Sequence, residues 1–201
     1  GSGKTRVVTT RIVRLLQDGA HPSSILALTF TNRAAREMKE RVTKMLGLDQ
    51  EPPVLISTFH ALGAKLLRQH APEFGRSQGF SIYDEDDQVS ILRSALDEQG
   101  HSLRVHEIKR ILRSFARAKN DGDHAKDAAL SSEFIGIDSE RLGIRYEEQL
   151  RLADAFDFGD LILRPMELLE HSAGLRGLYQ HRWQWLLVDE FQDTNVAQYR
   201  W

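Results

Sequence analysis

With 201 residues, 41% hydrophobic and 28% charged, the chain has an ordinary globular composition and is long enough for one large domain or two small ones. It has no cysteine, which excludes a disulfide framework and thiolate metal sites; no apolar run approaches a membrane span and no signal peptide is visible, so the default location is the interior of a cell. A net charge of -2 gives no global reason to expect a polyanion, and nucleic-acid binding must rest on local patches.

The chain opens on Gly1-Ser2-Gly3-Lys4-Thr5, the second half of a G-x-x-x-x-G-K-[ST] loop. In such a loop backbone N–H groups wrap phosphates, the lysine reaches the β- and γ-phosphates and the hydroxyl ligates Mg²⁺. Gly3 is the sixth position of the pattern, so its first glycine and the strand before it fall ahead of residue 1. Gly1-Ser2 also reads as a cloning scar, but less well, because the expected helix does follow. From Thr5 to Asp18, Val8, Ile12, Leu15 and Leu16 recur at helical spacing, and Gly19 stops the helix before Pro22. Its N-terminus would face the phosphates.

Ile25 to Phe30 is a short apolar run that suits a buried parallel strand. Thr31 and Asn32 offer capping oxygens to a helix from Arg33 to Leu46, expected to bury Ala34, Met38, Val42 and Met45. Its cations Arg36, Lys39, Arg41 and Lys44 read as a solvated face. Thr31 and Arg33 differ, since they stand at the strand-to-helix junction where a phosphate-rich strand could lie. Pro52-Pro53 closes a loop, Val54 to Ser57 reads as a second strand, and Thr58-Phe59-His60 leads into a helix carrying Leu62, Leu66 and Leu67. A lone His60 is more often a capping or hydrogen-bonded histidine than a ligand. With Phe30 and Thr58, however, it suggests a stacking and hydrogen-bonding surface for single-stranded nucleic acid.

After Pro72 and Gly79 the character shifts. Asp84-Glu85-Asp86-Asp87 starts a helix with carboxylates at its positive end and Val89, Leu92 and Leu96 on its buried face. Val105 to Lys119 is a second helix, with Val105, Ile108, Leu112 and Phe115 opposite its cations. A third is expected from Ile144 to about Phe156, carrying Tyr146, Leu150 and Ala153. No strand signal is visible between about Ile91 and Gln180, so the middle reads as an α-helical insertion. In Asp157-Phe158-Gly159-Asp160-Leu161-Ile162, Asp157 or Asp160 can cap a helix through Leu169. Pro165 inside it implies a late start or a kink. Tyr179 to Trp185 then leads to Leu186-Leu187-Val188-Asp189-Glu190, a pattern by which a buried parallel strand delivers acids to the carboxyl edge of a sheet. There Asp189 can hold Mg²⁺, directly or through water, and Glu190 can orient and deprotonate a water.

Taken in order, Gly1-Ser2-Gly3-Lys4-Thr5, Leu28-Thr29-Phe30-Thr31-Asn32-Arg33-Ala34-Ala35, Ser57-Thr58-Phe59-His60-Ala61, Asp157-Phe158-Gly159-Asp160-Leu161-Ile162 and Val188-Asp189-Glu190-Phe191-Gln192-Asp193-Thr194-Asn195 closely resemble the first motor domain of UvrD/Rep/PcrA-type superfamily 1 DNA helicases. The resemblance runs from the first residue to the last and implies an α/β fold, a RecA-like P-loop NTPase sheet flanked by helices. Residues 1–78 and 157–201 would form the ATP-binding motor, with 79–156 as the inserted helical subdomain. It implies that Gly1, Ser2, Gly3, Lys4 and Thr5 bind ATP, that Thr5 and Asp189 hold Mg²⁺, that Glu190 activates the hydrolytic water, and that Gln192 senses the γ-phosphate. Phe30, Thr31, Asn32, Arg33, Thr58, Phe59 and His60 would contact single-stranded DNA, and the helical middle would touch single strand and duplex at a junction.

Two departures stand out: Arg33 where the family usually has lysine, and Gly159 in place of a frequent aspartate. The resemblance further implies 3′-to-5′ movement, a bacterial cytoplasmic setting close to the nucleoid, and a second motor domain that contributes arginine fingers. Such fingers are worth about 10³ to 10⁵ in rate. The chain therefore reads as an excerpt, expected to turn over little ATP alone and, lacking the loop's own strand, to be poorly soluble. Two other readings compete: the motor subunit of a helicase–nuclease, and a non-catalytic nucleic-acid-binding module.

Overall fold

The computed structural model describes residues 3–201, and for Lys4 the backbone alone. In chain order the elements are α1 (Gly3–Gln17), β1 (Ile25–Thr29), α2 (Asn32–Leu46), β2 (Leu55–Thr58), α3 (Phe59–His70), β3 (Ser81–Tyr83), α4 (Glu85–Glu98), α5 (Val105–Asp121), α6 (Ser139–Leu152), β4 (Ala155–Asp157), α7 (Asp160–His171), α8 (Ala173–Arg182), β5 (Trp185–Val188) and α9 (Val196–Arg200). The chain forms two compact units, Gly1–Leu62 with Leu168–Thr194 and Gly63–Glu167 with Asn195–Trp201. It passes from one to the other inside α3, inside α7 and between Thr194 and Asn195.

The first unit is built on a parallel sheet of order β2-β1-β5. Leu28 is in register with Ser57 on one side and Val188 on the other, so the three carboxyl ends fall along one edge. All five residues of β1 are buried, as a central strand covered on both faces requires. Ile25 and Ala27 share a core with Ile12, Val13 and Leu15 of α1 and Ala35, Met38 and Val42 of α2. The buried face of α2 is thus set by Ala35 rather than Ala34, and Met45, expected inside, is 46% exposed. Residues 35, 38, 42 and 45 lie on one stripe, so Met45 is exposed by its place in the last turn of α2 and not by its angle.

The last strand also departs from expectation. β5 is the sheet's edge among the described residues, and Trp185 and Leu186 are 39% and 57% exposed, so it is not a buried strand. With β1 as its neighbour on one side, its apolar run is covered on that side alone. The helix before it, α8, was not expected; Gly174 and Gly177 weaken its propensity, and Tyr179 alone is buried.

The second unit is mainly helical. Val89, Leu92 and Leu96 of α4, Ile108, Ile111, Leu112 and Phe115 of α5, and Leu142, Tyr146 and Leu150 of α6 form one core. Asp84 caps α4 in a reciprocal box with Asp87. The segment holds a strand pair the sequence did not reveal: Ser81, Ile82 and Tyr83 pair in parallel with Ala155, Phe156 and Asp157. Three residues are too few for periodicity to register. The third helix accordingly begins earlier and ends sooner, Ser139–Leu152 instead of Ile144 to Phe156, capped by Asp138. Ala153 is exposed, and Asp154 turns the chain at φ 49° into β4. The Asp154 carboxylate accepts from the Ser77 N–H at 2.7 Å and from its hydroxyl, which holds that turn.

α7 is continuous through Pro165, starting at Asp160. The missing N–H frees the Leu161 carbonyl, whose oxygen lies 1.7 Å from where a Cβ on residue 63 would sit, so glycine there lets two helix backbones touch.

Candidate functional site

The carboxyl edge of the first unit's sheet gathers most of the residues that carry chemistry. Near the start of α1 the Thr5 hydroxyl donates to Asp189 Oδ2 at 2.9 Å, joining residues 184 apart in sequence. Asp189 is 3% exposed, and its N–H extends the β1–β5 ladder by donating to the Leu28 carbonyl at 2.9 Å. Its other carboxylate oxygen accepts the Glu190 N–H at 3.1 Å. Glu190 adopts φ 53°, ψ 43°, a left-handed conformation uncommon for a non-glycine residue, and a single 3-10 turn, Phe191–Asp193, follows. The Gln192 amide donates to the Glu190 carboxylate. Gly1, Ser2 and the Lys4 side chain lie outside the described residues; Gly3 is the first residue of α1.

The Thr5–Asp189 pair presents a hydroxyl and a carboxylate, hard oxygen donors. The hydroxyl's proton is committed to Asp189, which leaves its lone pairs for a cation. No group of three or more His, Asp or Glu side chains able to hold a metal occurs among the described residues. The donor set fits Mg²⁺, which keeps water and phosphate oxygens and takes few protein ligands.

Beside this pair, along the same edge, stand the residues read as nucleic-acid contacts. Thr31 caps α2 by accepting the Ala34 N–H, and Thr58 accepts the Ala61 N–H at the start of α3, each at 3.1 Å. Both hydroxyls are therefore structural as well as edge-facing. Phe59 is 4% exposed with its ring centroid 5.7 Å from that of Phe30, which is half-buried and keeps more of its surface open. Arg33 is exposed and its Nε donates to Glu37 at 2.8 Å. Burial holds His60 below the ordinary histidine pKa, so at neutral pH it offers hydrogen bonds without charge.

Asn32 lines a cleft of about 400 Å³ together with Arg36, Lys39, Ser57 and Thr58. Arg36 and Lys39 read as solvated cations in the sequence. Their offsets of four and seven from Asn32 are the signal that places them on one helix face with it.

The second unit collects the remaining motif. Lys119 of α5, 1% exposed, donates to Asp157 at 2.8 Å and Asp160 at 2.9 Å, and the Tyr146 hydroxyl donates to Asp157 at 2.9 Å. Burial opposes the Lys119 charge, but the two aspartates overcome it and leave its pKa above the ordinary lysine value. Asp157 and Asp160 also cap one another, each carboxylate accepting the other's N–H. Arg164 bonds Asp160, Glu147 and Glu167. At Gly159 a Cβ would come within 2.8 Å of the Lys119 side chain, so the glycine leaves the lysine its path. Lys119, at the end of a helix, carried no sequence signal of burial.

The UvrD/REP helicase N-terminal domain profile matches residues 1–201. The ATP-dependent DNA helicase PcrA of Staphylococcus aureus (strain COL) is 38% identical over 203 residues, covering 99% of this chain and 27% of its own length. PcrA of Leuconostoc citreum is 36% identical over 201 residues with the same coverage. The ATP-dependent DNA helicase Rep of Escherichia coli (strain K12) is 38% identical over 202 residues, covering 99% of this chain and 30% of its own length. The chain thus spans less than a third of these relatives.

Proposed function

Because this chain belongs to the UvrD/REP helicase N-terminal domain family, we propose that the protein containing it is an ATP-dependent DNA helicase moving 3′-to-5′ along single-stranded DNA in the bacterial cytoplasm. The motor would comprise residues 1–78 and 157–201 around a helical insertion, 79–156. The observation that carries the reading is the 2.9 Å bond between Thr5 and Asp189, which brings the two half-motifs to one sheet edge.

ATP would lie over the N-terminus of α1, its terminal phosphates within reach of Lys4, with Thr5 and Asp189 holding Mg²⁺. Magnesium, when bound, offsets the charge of the β- and γ-phosphate oxygens. Glu190 takes the proton of the attacking water, and Gln192, bonded to that carboxylate, orients it toward the γ-phosphate. Phe30 supplies a sequence-tolerant stacking face, while Arg33, Arg36 and Lys39 track phosphates. ATP binding closes this motor lobe on a second one, and hydrolysis reopens it.

In the full-length protein, Glu190→Gln is expected to cut DNA-stimulated ATP turnover by about a thousandfold while leaving ATP binding intact. Unwinding of a 3′-tailed duplex should stop with it. A passive nucleic-acid-binding module would show no change. The 201-residue chain alone should turn over almost no ATP; a DNA-stimulated rate like that of the full-length protein would overturn the need for a second lobe.

A further inference from the structure

Thr9 is a polar residue on the core face of α1. It is 1% exposed and stands three and four residues ahead of Ile12 and Val13, which are 0% and 6% exposed in the first unit's core. A valine has nearly the same shape and would bury a methyl group in place of the hydroxyl, so apolar packing alone gives no reason for a threonine here. The hydroxyl is used on the turn before it. It shares its proton between the Thr5 carbonyl at 3.1 Å and the Arg6 carbonyl at 2.9 Å.

Those two carbonyls lie in the first turn of the helix. Gly3 opens α1, and the leading N–H groups of a helix have no partner within it, so this turn is held by fewer bonds than the turns that follow. A second donor on the Thr5 carbonyl restrains the turn and tilts the peptide that carries Thr5. The other side of the contact is already fixed: Asp189 is 3% exposed, and its N–H is bonded to the Leu28 carbonyl of β1. The 2.9 Å approach of the Thr5 hydroxyl to Asp189 Oδ2 is therefore set from the helix. Mg²⁺ makes that placement matter, since it takes oxygen ligands at about 2.0–2.1 Å in near-ideal octahedral geometry.

We propose that Thr9 is a positioning residue for the magnesium site: its hydroxyl, bonded to the Thr5 carbonyl, sets the tilt of the first turn of α1 and so the place of the Thr5 oxygen beside Asp189. Thr5, Thr9 and Asp189 all belong to the first unit. The inference rests on the helicase reading, which supplies the metal. Loss of the hydroxyl strands no carbonyl, because both stay within the N–H to carbonyl ladder of α1, so placement separates from folding.

The test uses the full-length protein and a slowly hydrolysed ATP analogue, whose binding is titrated calorimetrically in Mg²⁺ and in EDTA. The ratio of the two affinities is the gain that the metal confers. Thr9→Val is expected to shrink that gain about tenfold, the lower end for groups that orient a metal ligand from outside, with affinity in EDTA and the melting temperature unchanged. Thr9→Ala, which cannot overfill the site, should shrink it equally, while Thr9→Ser keeps the donor and should keep the gain. Thr43→Val removes the same kind of bond in α2, from the Thr43 hydroxyl to the Lys39 carbonyl at 2.9 Å, and should leave the gain whole. An undiminished gain in Thr9→Val and Thr9→Ala, an equal loss in EDTA, a loss in Thr9→Ser or Thr43→Val as large as in Thr9→Val, or a loss that follows the melting temperature across the Thr9 variants would overturn the proposal. The unaltered protein separates the two failures. If it binds the analogue no better in Mg²⁺ than in EDTA, the magnesium reading of the Thr5–Asp189 pair falls; if it shows the gain and the Thr9 variants keep it, only the positioning role falls.

Discussion

His124 shows how a single side chain sets a pH limit. Its Nε2 lies 2.8 Å from Glu167 and its Nδ1 3.6 Å from Glu147, while Arg164 approaches within 3.2 Å and opposes the charge. Glu147 and Glu167 prevail and raise its pKa from 6.5 to about 9. Because the folded value exceeds the unfolded one, the stabilisation is complete below about pH 6.5 and is lost as pH rises through about 9. Glu147 acts in the opposite sense: burial opposes its charge, but His124, Lys119 and Arg164 hold its pKa below the ordinary 4.5, so its contribution fades in acid. The urea midpoint should therefore fall between neutral pH and about pH 9, and His124→Gln should flatten that limb. An unchanged slope would show that other groups set it.

At the scale of elements, three glycines can be ranked by what a methyl group would strike. At Gly63 it would meet the Leu161 carbonyl on α7 at 1.7 Å, and at Gly143 the backbone of residue 126 at 2.4 Å. Neither neighbour can move without shifting a whole segment. At Gly159 the neighbour is the Lys119 side chain, which can adjust. Gly63→Ala and Gly143→Ala are each expected to cost about 2–3 kcal/mol and Gly159→Ala about 1 kcal/mol. Thermal denaturation measures the order, and equal costs at all three positions would contradict it.

Across the molecule, the legible features were those written in short, local patterns. The continuous apolar run of β1, the cap at Thr31 and the acidic start of α4 are such patterns. The meeting of Thr5 with Asp189 was legible from chemistry, since each half-motif implies a phosphate partner. Lys119 was not, because its partners stand 38 and 41 residues away. β3 and β4 were too short to register, and nothing local marks β5 as an edge. That edge carries a prediction of its own: Leu186, 57% exposed beside an outer strand side unpaired among the described residues, favours self-association of the isolated chain. Leu186→Lys should lower light scattering at a given concentration; equal scattering would place the sticky surface elsewhere.

The crossings inside α3 and α7 bear on anyone who would shorten this gene. Excising 63–167 would leave helical stubs of four residues each, 59–62 and 168–171. Stubs that short do not hold a helix in water. The second unit is therefore no detachable cassette, and a truncation that spares the Thr5–Asp189 edge would need a designed helix-to-helix splice, not a loop graft.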